Sequence, residues 1–186
     1  MYLDNLDEVL EHLNQPFGFL LNKGFKVFCS DFPGHFDNFA VGLETPDFRI
    51  RFNRDRGAIS VYIGPNQAQG CWSNDLWDDL IVIIMYLTHN QILISGYWKD
   101  RYDVDKQLEQ LGKAFYHFYD DIVELYKFDN FPKYKENMNL FGQEVTLLFE
   151  PRNKPDRLDK EKQGLLFLQS IKMMPDKNER PCSVCP

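Results

Sequence analysis

Residues 48–63 alternate between apolar and polar positions in two runs that a short polar turn separates. Every second residue from Phe48 to Phe52 is apolar, and the same period of two continues from Ile59 to Ile63. This pattern is typical of an antiparallel hairpin with one buried face. Residues 55–57, Asp-Arg-Gly, predict a type I turn closed by a left-handed glycine.

Two more strands are predicted ahead of the hairpin, at residues 26–31 and 38–44, with short turns between them. Together the four strands make an antiparallel meander, whose apolar face must be covered. Upstream, residues 4–13 have apolar side chains at helical spacing and predict a helix. We expect Pro16 to interrupt it, and a short helical turn to end at Gly24.

The segment LWDDLIVIIMYL, residues 76–87, predicts a helix that is buried on almost every side. Residues 73–75, Ser-Asn-Asp, offer a cap for its start, and Asp78 and Asp79 are expected in its first turn. The β-branched run 81–84 is also compatible with a buried strand. The length and the acidic first turn favour the helix.

A second helix is predicted from Asp103 to Lys127, with apolar residues spaced alternately four and three apart. This spacing is that of a heptad seam, and it allows a homodimeric coiled coil through residues 104–125. The alternative is packing against the domain's own buried helix, which we favour because a coiled coil needs longer runs with flanking charges. The seam consists of Val104, Leu108, Leu111, Phe115, Phe118, Ile122 and Leu125.

The sequence therefore predicts an α+β fold: N-terminal helices, a four-stranded antiparallel meander, then two helices packed on its apolar face. This α+β domain is assigned to residues 1–128. Residues 129–150 form an extension with one late strand at 143–150.

Residues 151–186 are predicted to be a polar linker followed by a short apolar segment and a polar tail. Leu165, Leu168 and Ile171 share one face of a short helix that is marginal by itself. Because exposed apolar clusters of this size are unfavourable, we expect this face to dock on the domain or on a partner.

Charge is unevenly distributed along the 186 residues. Residues 1–150 carry 13 basic and 23 acidic side chains, a net charge of −10, whereas residues 151–186 carry 8 and 5, a net charge of +3. An acidic body repels nucleic acids and anionic membranes, and it attracts a basic protein. The N-terminus has neither a basic head nor a long apolar run, so we expect a cytoplasmic protein without a membrane segment.

The four cysteines predict no disulfide framework, and Cys29, in a predicted strand, is expected to be a buried thiol. Cys182 and Cys185 have the two-residue spacing of a zinc half-site. Because the chain contains no second such pair, incidental cysteines in a tail are the favoured alternative. No cofactor is predicted.

Four arginines lie within eight residues of the hairpin of this acidic protein: Arg49, Arg51, Arg54 and Arg56. With Tyr62 on the adjacent strand they could bind a carboxylate or a phosphate, or dock an acidic partner. The alternative is a solvated sheet face with the arginines paired to Glu44, Asp47 and Asp55.

Catalytic signatures are missing from the sequence: it has no GxGxxG, GxxxxGK[ST], HExxH or GxSxG motif. His117 stands three and four residues before Asp120 and Asp121, a spacing that allows an imidazole–carboxylate pair. Such pairs are common on helix surfaces, so no catalytic residue is assigned.

The order FxVGLE, FRIRFNRDRGAISVYIGP, WSNDLWDDL resembles small bacterial proteins, some of them similar to immunity proteins of toxin systems. The resemblance covers residues 38–87 and implies a bacterial cytoplasmic α+β domain that acts by binding another protein. We therefore expect a non-catalytic interaction module of the acidic immunity or inhibitor type. The alternative is a small-anion-binding protein or enzyme that uses the sheet face of Arg49, Arg51 and Tyr62.

Overall fold

The computed structural model describes residues 5–33, 38–72, 76–94 and 103–171. These residues form an α+β fold: an N-terminal helix, an antiparallel sheet and then further helices. The sheet order is β1-β2-β3-β4-β5, so each strand pairs with its neighbour in sequence, as a meander requires. The elements are α1 (Leu6–Asn22), β1 (Lys26–Asp31), β2 (Phe39–Glu44), β3 (Phe48–Asp55), β4 (Ala58–Pro65), β5 (Asp78–Asp79), α2 (Leu80–Leu87), α3 (Val104–His117), α4 (Tyr119–Tyr126), α5 (Phe131–Leu148), a 3-10 turn (Pro151–Asn153) and α6 (Lys154–Ser170).

The predicted alternation in the hairpin is confirmed. The apolar side chains of β3 and β4 face the helices and are almost completely buried. Phe17 of α1 packs edge-on against Phe52, with ring centroids 4.7 Å apart. Gln107 of α3 accepts a hydrogen bond from the amide of Ile59 (2.9 Å) and donates one to the carbonyl of Gly57 (3.1 Å). Helices α1 and α3 thus cover this face of the sheet.

The hairpin turn differs from the predicted type. Asp55 pairs with Ala58, which leaves Arg56 and Gly57 as a two-residue turn. Both have positive φ angles, 50° and 83°, as in a type I′ turn. A type I′ turn matches the right-handed twist of the two strands, whereas a type I turn would splay them apart.

The prediction that Pro16 interrupts the first helix is wrong. Helix α1 runs continuously through Pro16, and the Asn5 side chain caps its start by accepting a hydrogen bond from the Glu8 amide. A proline inside a helix costs about 3 kcal/mol. Burial of the face that carries Phe17 and Leu20 offsets this cost, since each such side chain contributes about 1.5–3 kcal/mol when removed from water.

The long predicted helix at 103–127 is two helices, α3 and α4, which meet at Phe118. The seam residues from Val104 to Ile122 are buried in the chain's own core. Helix α3 packs against α1 so closely that a Cβ atom on Gly112 would lie 2.6 Å from the carbonyl oxygen of Pro16. The seam is therefore packed within the chain.

Asp78 and Asp79 do not lie in the first turn of a helix. They form the short strand β5, which pairs with Tyr62 and Ile63 of β4. The helix begins at Leu80, and Asp79 is its cap, accepting a hydrogen bond from the amide of Ile81 at 2.8 Å. The capping residues expected at 73–75 lie outside the described residues.

The late strand predicted at 143–150 is wrong, because helix α5 runs through Leu148. Val145 and Leu148 pack with Met85 and Leu93 in a second, smaller core. A helix, rather than a strand, places both side chains on the face that meets this core.

The predicted linker, residues 151–163, forms the 3-10 turn and the first part of α6. Leu168 is buried and Ile171 packs against the main core, whereas Leu165 is 52% exposed. The short apolar segment therefore contacts its own domain through Leu168 and Ile171, two of the three residues that were expected to dock. Polar composition indicated exposure to solvent correctly, but it does not exclude a helix.

Candidate interaction site

The hairpin arginines do not share one surface. The side chains of Arg49 and Arg51 lie on the face of the sheet opposite to the helices, called the outer face below. Arg54 points toward the helix-covered side and is 6% exposed. Arg56 stands in the exposed turn, 3.6 Å from the carboxylate of Asp55. The sequence cluster is therefore divided among three environments.

Arg49 is engaged inside the domain. Its Nε and Nη2 atoms donate to Oε2 of Glu44 at 2.9 and 2.7 Å, and its Nη1 atom donates to the carbonyl of Ala68 at 2.6 Å. The guanidinium also lies 4.4 Å from the centroid of the Phe28 ring. The pairing with Glu44 is the one that the solvated-face alternative predicted.

Arg51 is completely buried on the outer face. Its guanidinium lies between the rings of Tyr62 and Trp77, 4.6 Å from each centroid. Burial lowers the pKa of this guanidinium, and the charge of Tyr62 acts in the opposite direction. Phe28 stacks on the same Trp77 ring, so three aromatic rings and two arginines form one packed layer.

Residues 66–72, called the segment after β4, cover part of this layer. A disulfide attaches this segment to the sheet. Cys71 is joined to Cys29 of β1, and the indole N–H of Trp72 donates to the carboxylate of Asp31. The prediction of a free Cys29 thiol is therefore wrong. Spacing along the chain could not reveal the pair, because the two cysteines are 42 residues apart. Disulfides are typical of oxidising compartments, so the structure gives no support to the predicted cytoplasmic location.

A groove with a volume of about 470 Å³ opens where the β2–β3 turn, the end of β4 and the α4–α5 junction meet. It is called the Phe128 groove below. Its walls are mainly apolar, with prolines contributed by three separate segments. The lining residues are Pro46, Asp47, Pro65, Asn66, Gln67, Leu76, Tyr126, Lys127, Phe128, Phe131 and Pro132.

Two large apolar side chains in the wall of the groove are exposed. Phe128 is 87% exposed and Leu76 is 41% exposed. Leu76 also has a φ angle of +68°, a left-handed conformation that leucine rarely adopts. Such backbone strain costs about 1–3 kcal/mol. It persists only where the surrounding structure fixes the residue in that conformation, and it is often found at ligand-binding sites.

A buried hydrogen-bond cluster supports the floor of the groove. The Tyr126 hydroxyl lies 3.1 Å from the carbonyl oxygen of Ile63 and 3.0 Å from Oδ2 of Asp78. Tyr134 approaches the same Oδ2 at 3.3 Å, and Nζ of Lys135 donates to Oδ1 at 2.6 Å. Burial raises the pKa of both tyrosines, and the nearby Asp78 charge raises it further, so both hydroxyls stay protonated. Both carboxylate oxygens of Asp78 are thus engaged in hydrogen bonds within the domain, so Asp78 has a structural role.

Carboxylates border the groove. Asp47 lines it, and Lys127, which also lines it, is paired with Glu124. The hydrogen bond that Lys127 donates to Glu124, together with the charges of Glu124 and Asp47, raises the pKa of Lys127. Near this border, burial raises the pKa of Tyr119, and the charges of Asp47 and Asp120 raise it further. The border is therefore acidic around an apolar interior.

The remaining predicted sites are not brought together. The ring of His117 packs edge-on against Phe118 and Phe167, and the chain bends between His117 and the two aspartates that follow. Within the described residues, no group of three or more His, Cys, Asp or Glu side chains could hold a metal ion. Cys182 and Cys185 lie outside those residues.

Comparison of the chain with protein-family models, curated proteins and solved structures found no match. No helix in the described part of the chain is long and apolar enough to cross a membrane. The groove is not recognisable in the sequence because four separate segments form it. The available signal was Phe128 itself, an aromatic residue in a polar stretch between two helices.

Proposed function

We propose that this protein is a non-catalytic protein–protein interaction module that binds a basic partner through the Phe128 groove. The observation that carries the proposal is the 87% exposure of Phe128 in the wall of an apolar groove with an acidic border.

The apolar interior supplies the affinity in this proposal. A large aromatic side chain that is exposed beside a pocket is typical of the anchors that dominate protein interfaces. Phe128 and Leu76 together offer a partner two apolar contacts, and the hydrogen-bonded floor under Tyr126 keeps them from collapsing inward. Little reorganisation is then needed on binding, which favours affinity.

The charge distribution supplies the selectivity. Asp47 lines the groove, Glu124 pairs with Lys127 in its wall, and residues 1–150 carry a net charge of −10. A basic partner is attracted at long range and an acidic one is repelled. An inhibitor of a basic toxin, such as a nuclease, fits both features and agrees with the resemblance to immunity proteins.

The anion-binding alternative lacks a supporting observation. Glu44 engages Arg49, and Trp77 covers Arg51. A carboxylate or phosphate could reach these guanidinium groups only if the covering segment moved away.

The test combines photo-crosslinking with purified binding measurements. A crosslinking residue at position 128 should capture a protein that mass spectrometry identifies as basic. With that protein purified, Phe128→Ser should weaken binding at least about tenfold, and Asp47→Lys should weaken it more at low salt than at high salt. The matched control is Leu140→Ser, since Leu140 is 64% exposed on α5 and does not line the groove. Equal binding by the Phe128→Ser and wild-type proteins, or an acidic partner, would refute the proposal.

A further inference from the structure

The segment after β4 has two roles that meet in the same few residues. Asn66 and Gln67 line one wall of the Phe128 groove, and Leu76 lines it where the chain returns toward β5. Between them, Ala68 is completely buried and Cys71 is nearly so, both against the outer face of the sheet. Two contacts therefore position this groove wall: the attachment of the segment to the outer face, and the hydrogen bond from the Asn66 side chain to the Pro46 carbonyl.

The attachment has a non-covalent part and a covalent part. Near the groove, the Ala68 amide donates to the carbonyl of Pro65 at 2.8 Å, and the Ala68 carbonyl accepts from Arg49 at 2.6 Å. Further along, the Cys29–Cys71 disulfide and the bond from Trp72 to Asp31 hold the segment to β1. Trp72 is 42% exposed, so its hydrogen bond competes with water and contributes little alone. The disulfide is the dominant link at this point.

A reductant can reach the disulfide from its Cys29 end. Cys29 lies on β1, the edge strand of the sheet, and is partly exposed, whereas Cys71 is nearly buried. The pairing of β1 with β2 is irregular between Val27 and Cys29, so the strand is already locally distorted there. The sheet core at β3 does not have to open for a thiolate to attack the bond.

We propose that the Cys29–Cys71 disulfide is a redox switch for the Phe128 groove. A cellular dithiol reduces it: the disulfide takes up two electrons and two protons to give two thiols, and the dithiol becomes a disulfide. Reduction frees residues 66–72 from β1 and loosens the wall that carries Asn66 and Gln67, so the oxidised form is the binding form. This inference rests on the proposed function for its biological role, but its structural content can be tested without a partner.

The test is hydrogen exchange on oxidised and reduced protein. Cys182→Ser and Cys185→Ser are introduced in all samples, so that Cys29 and Cys71 are the only cysteines that can react. Peptide mapping without reductant should first show the Cys29–Cys71 link. Addition of dithiothreitol should then speed exchange of the Ala68 amide at least about tenfold, while the β3 amides keep their protection. Cys29→Ala with Cys71→Ala, the matched control, should exchange like the reduced protein with or without dithiothreitol.

Three results would overturn the proposal. One is the absence of the crosslink in protein purified under oxidising conditions. Another is unchanged exchange at Ala68 after reduction. The last is loss of protection throughout β3, since the disulfide would then hold the whole fold instead of one wall. None of these results bears on whether the groove binds a basic partner, and failure to find that partner would leave the exchange result standing.

Discussion

Gly164 tests whether α6 docks on the domain as the structure shows. A Cβ atom at this position would lie 2.1 Å from the carbonyl oxygen of Leu93 and 2.7 Å from its carbonyl carbon, whereas ordinary contact begins at 3.4 Å. Both obstructing atoms belong to the backbone, so no side-chain rotation can relieve the clash. The same two segments are joined by a hydrogen bond from the Leu93 amide to the Lys160 carbonyl at 3.0 Å. Gly164→Ala must therefore push α6 away.

The magnitude follows from two opposing terms. Replacing glycine by alanine inside a helix stabilises it by about 0.8–1 kcal/mol. Overpacking costs about 1–3 kcal/mol, and a backbone clash belongs at the upper end of that range. We expect the free energy of unfolding to fall by about 2 kcal/mol, which lowers Tm by about 4–8 °C for a chain of this size.

Gly142 supplies the matched control, because it lies inside α5 and a Cβ atom there would meet nothing within 4 Å. Gly142→Ala gains the same helix propensity, about 0.8–1 kcal/mol, without the clash, so Tm should rise by about 2–4 °C. Both variants are compared by thermal unfolding followed by circular dichroism. If Gly164→Ala were as stable as Gly142→Ala, α6 would not pack on Leu93 and the reasoning would be wrong.

Three further predictions concern the buried polar groups. Tyr126→Phe should lower the free energy of unfolding by about 1–3 kcal/mol in urea denaturation, because the carbonyl of Ile63 and the carboxylate of Asp78 lose a buried hydrogen-bond donor. A change within experimental error would contradict the assigned hydrogen bonds. Arg51→Lys should lower the stability by a similar amount, since an ammonium cannot stack flat between two rings, whereas Arg56→Lys in the exposed turn should change it by less than about 0.5 kcal/mol. Burial raises the pKa of Asp79 to about 6, although the hydrogen bond from the Ile81 amide acts in the opposite direction. The protonated Asp79 side chain therefore makes its full contribution to the free energy of unfolding below about pH 4. This contribution is lost as the pH rises through about 6. Asp79→Asn keeps a helix cap and removes this loss, so its advantage over wild type in urea denaturation should grow from pH 4 to pH 7; an advantage independent of pH would refute the shifted pKa.

Local patterns in the sequence predicted strands β1 to β4 because the apolar positions of β2, β3 and β4 recur with a period of two and the four strands are joined by short turns. Side-chain alternation and turn residues are properties of a few neighbouring positions, and they can be read without knowing the rest of the fold. The heptad spacing of α3 belongs to the same class of signal.

Predictions failed where distant residues decide the outcome. Pro16 stays in a helix because packing of the α1 face on the sheet and α3 offsets its cost. The 143–150 segment is a helix because it meets Met85 and Leu93, which lie more than 50 residues earlier. In both cases tertiary packing overrides local propensity, because several buried side chains together contribute more than the propensity cost.

The sequence by itself determined the α+β class, the hairpin of β3 and β4, the acidic charge of the body and the absence of the catalytic motifs named above. Only the tertiary structure showed that the four arginines lie in three environments, that Cys29 joins Cys71, and that Phe128 stands exposed at a groove. The physical reason is that charge and periodicity are carried by each residue or its neighbours. A groove, a crosslink and a buried cation instead arise from segments that meet only when the chain has folded.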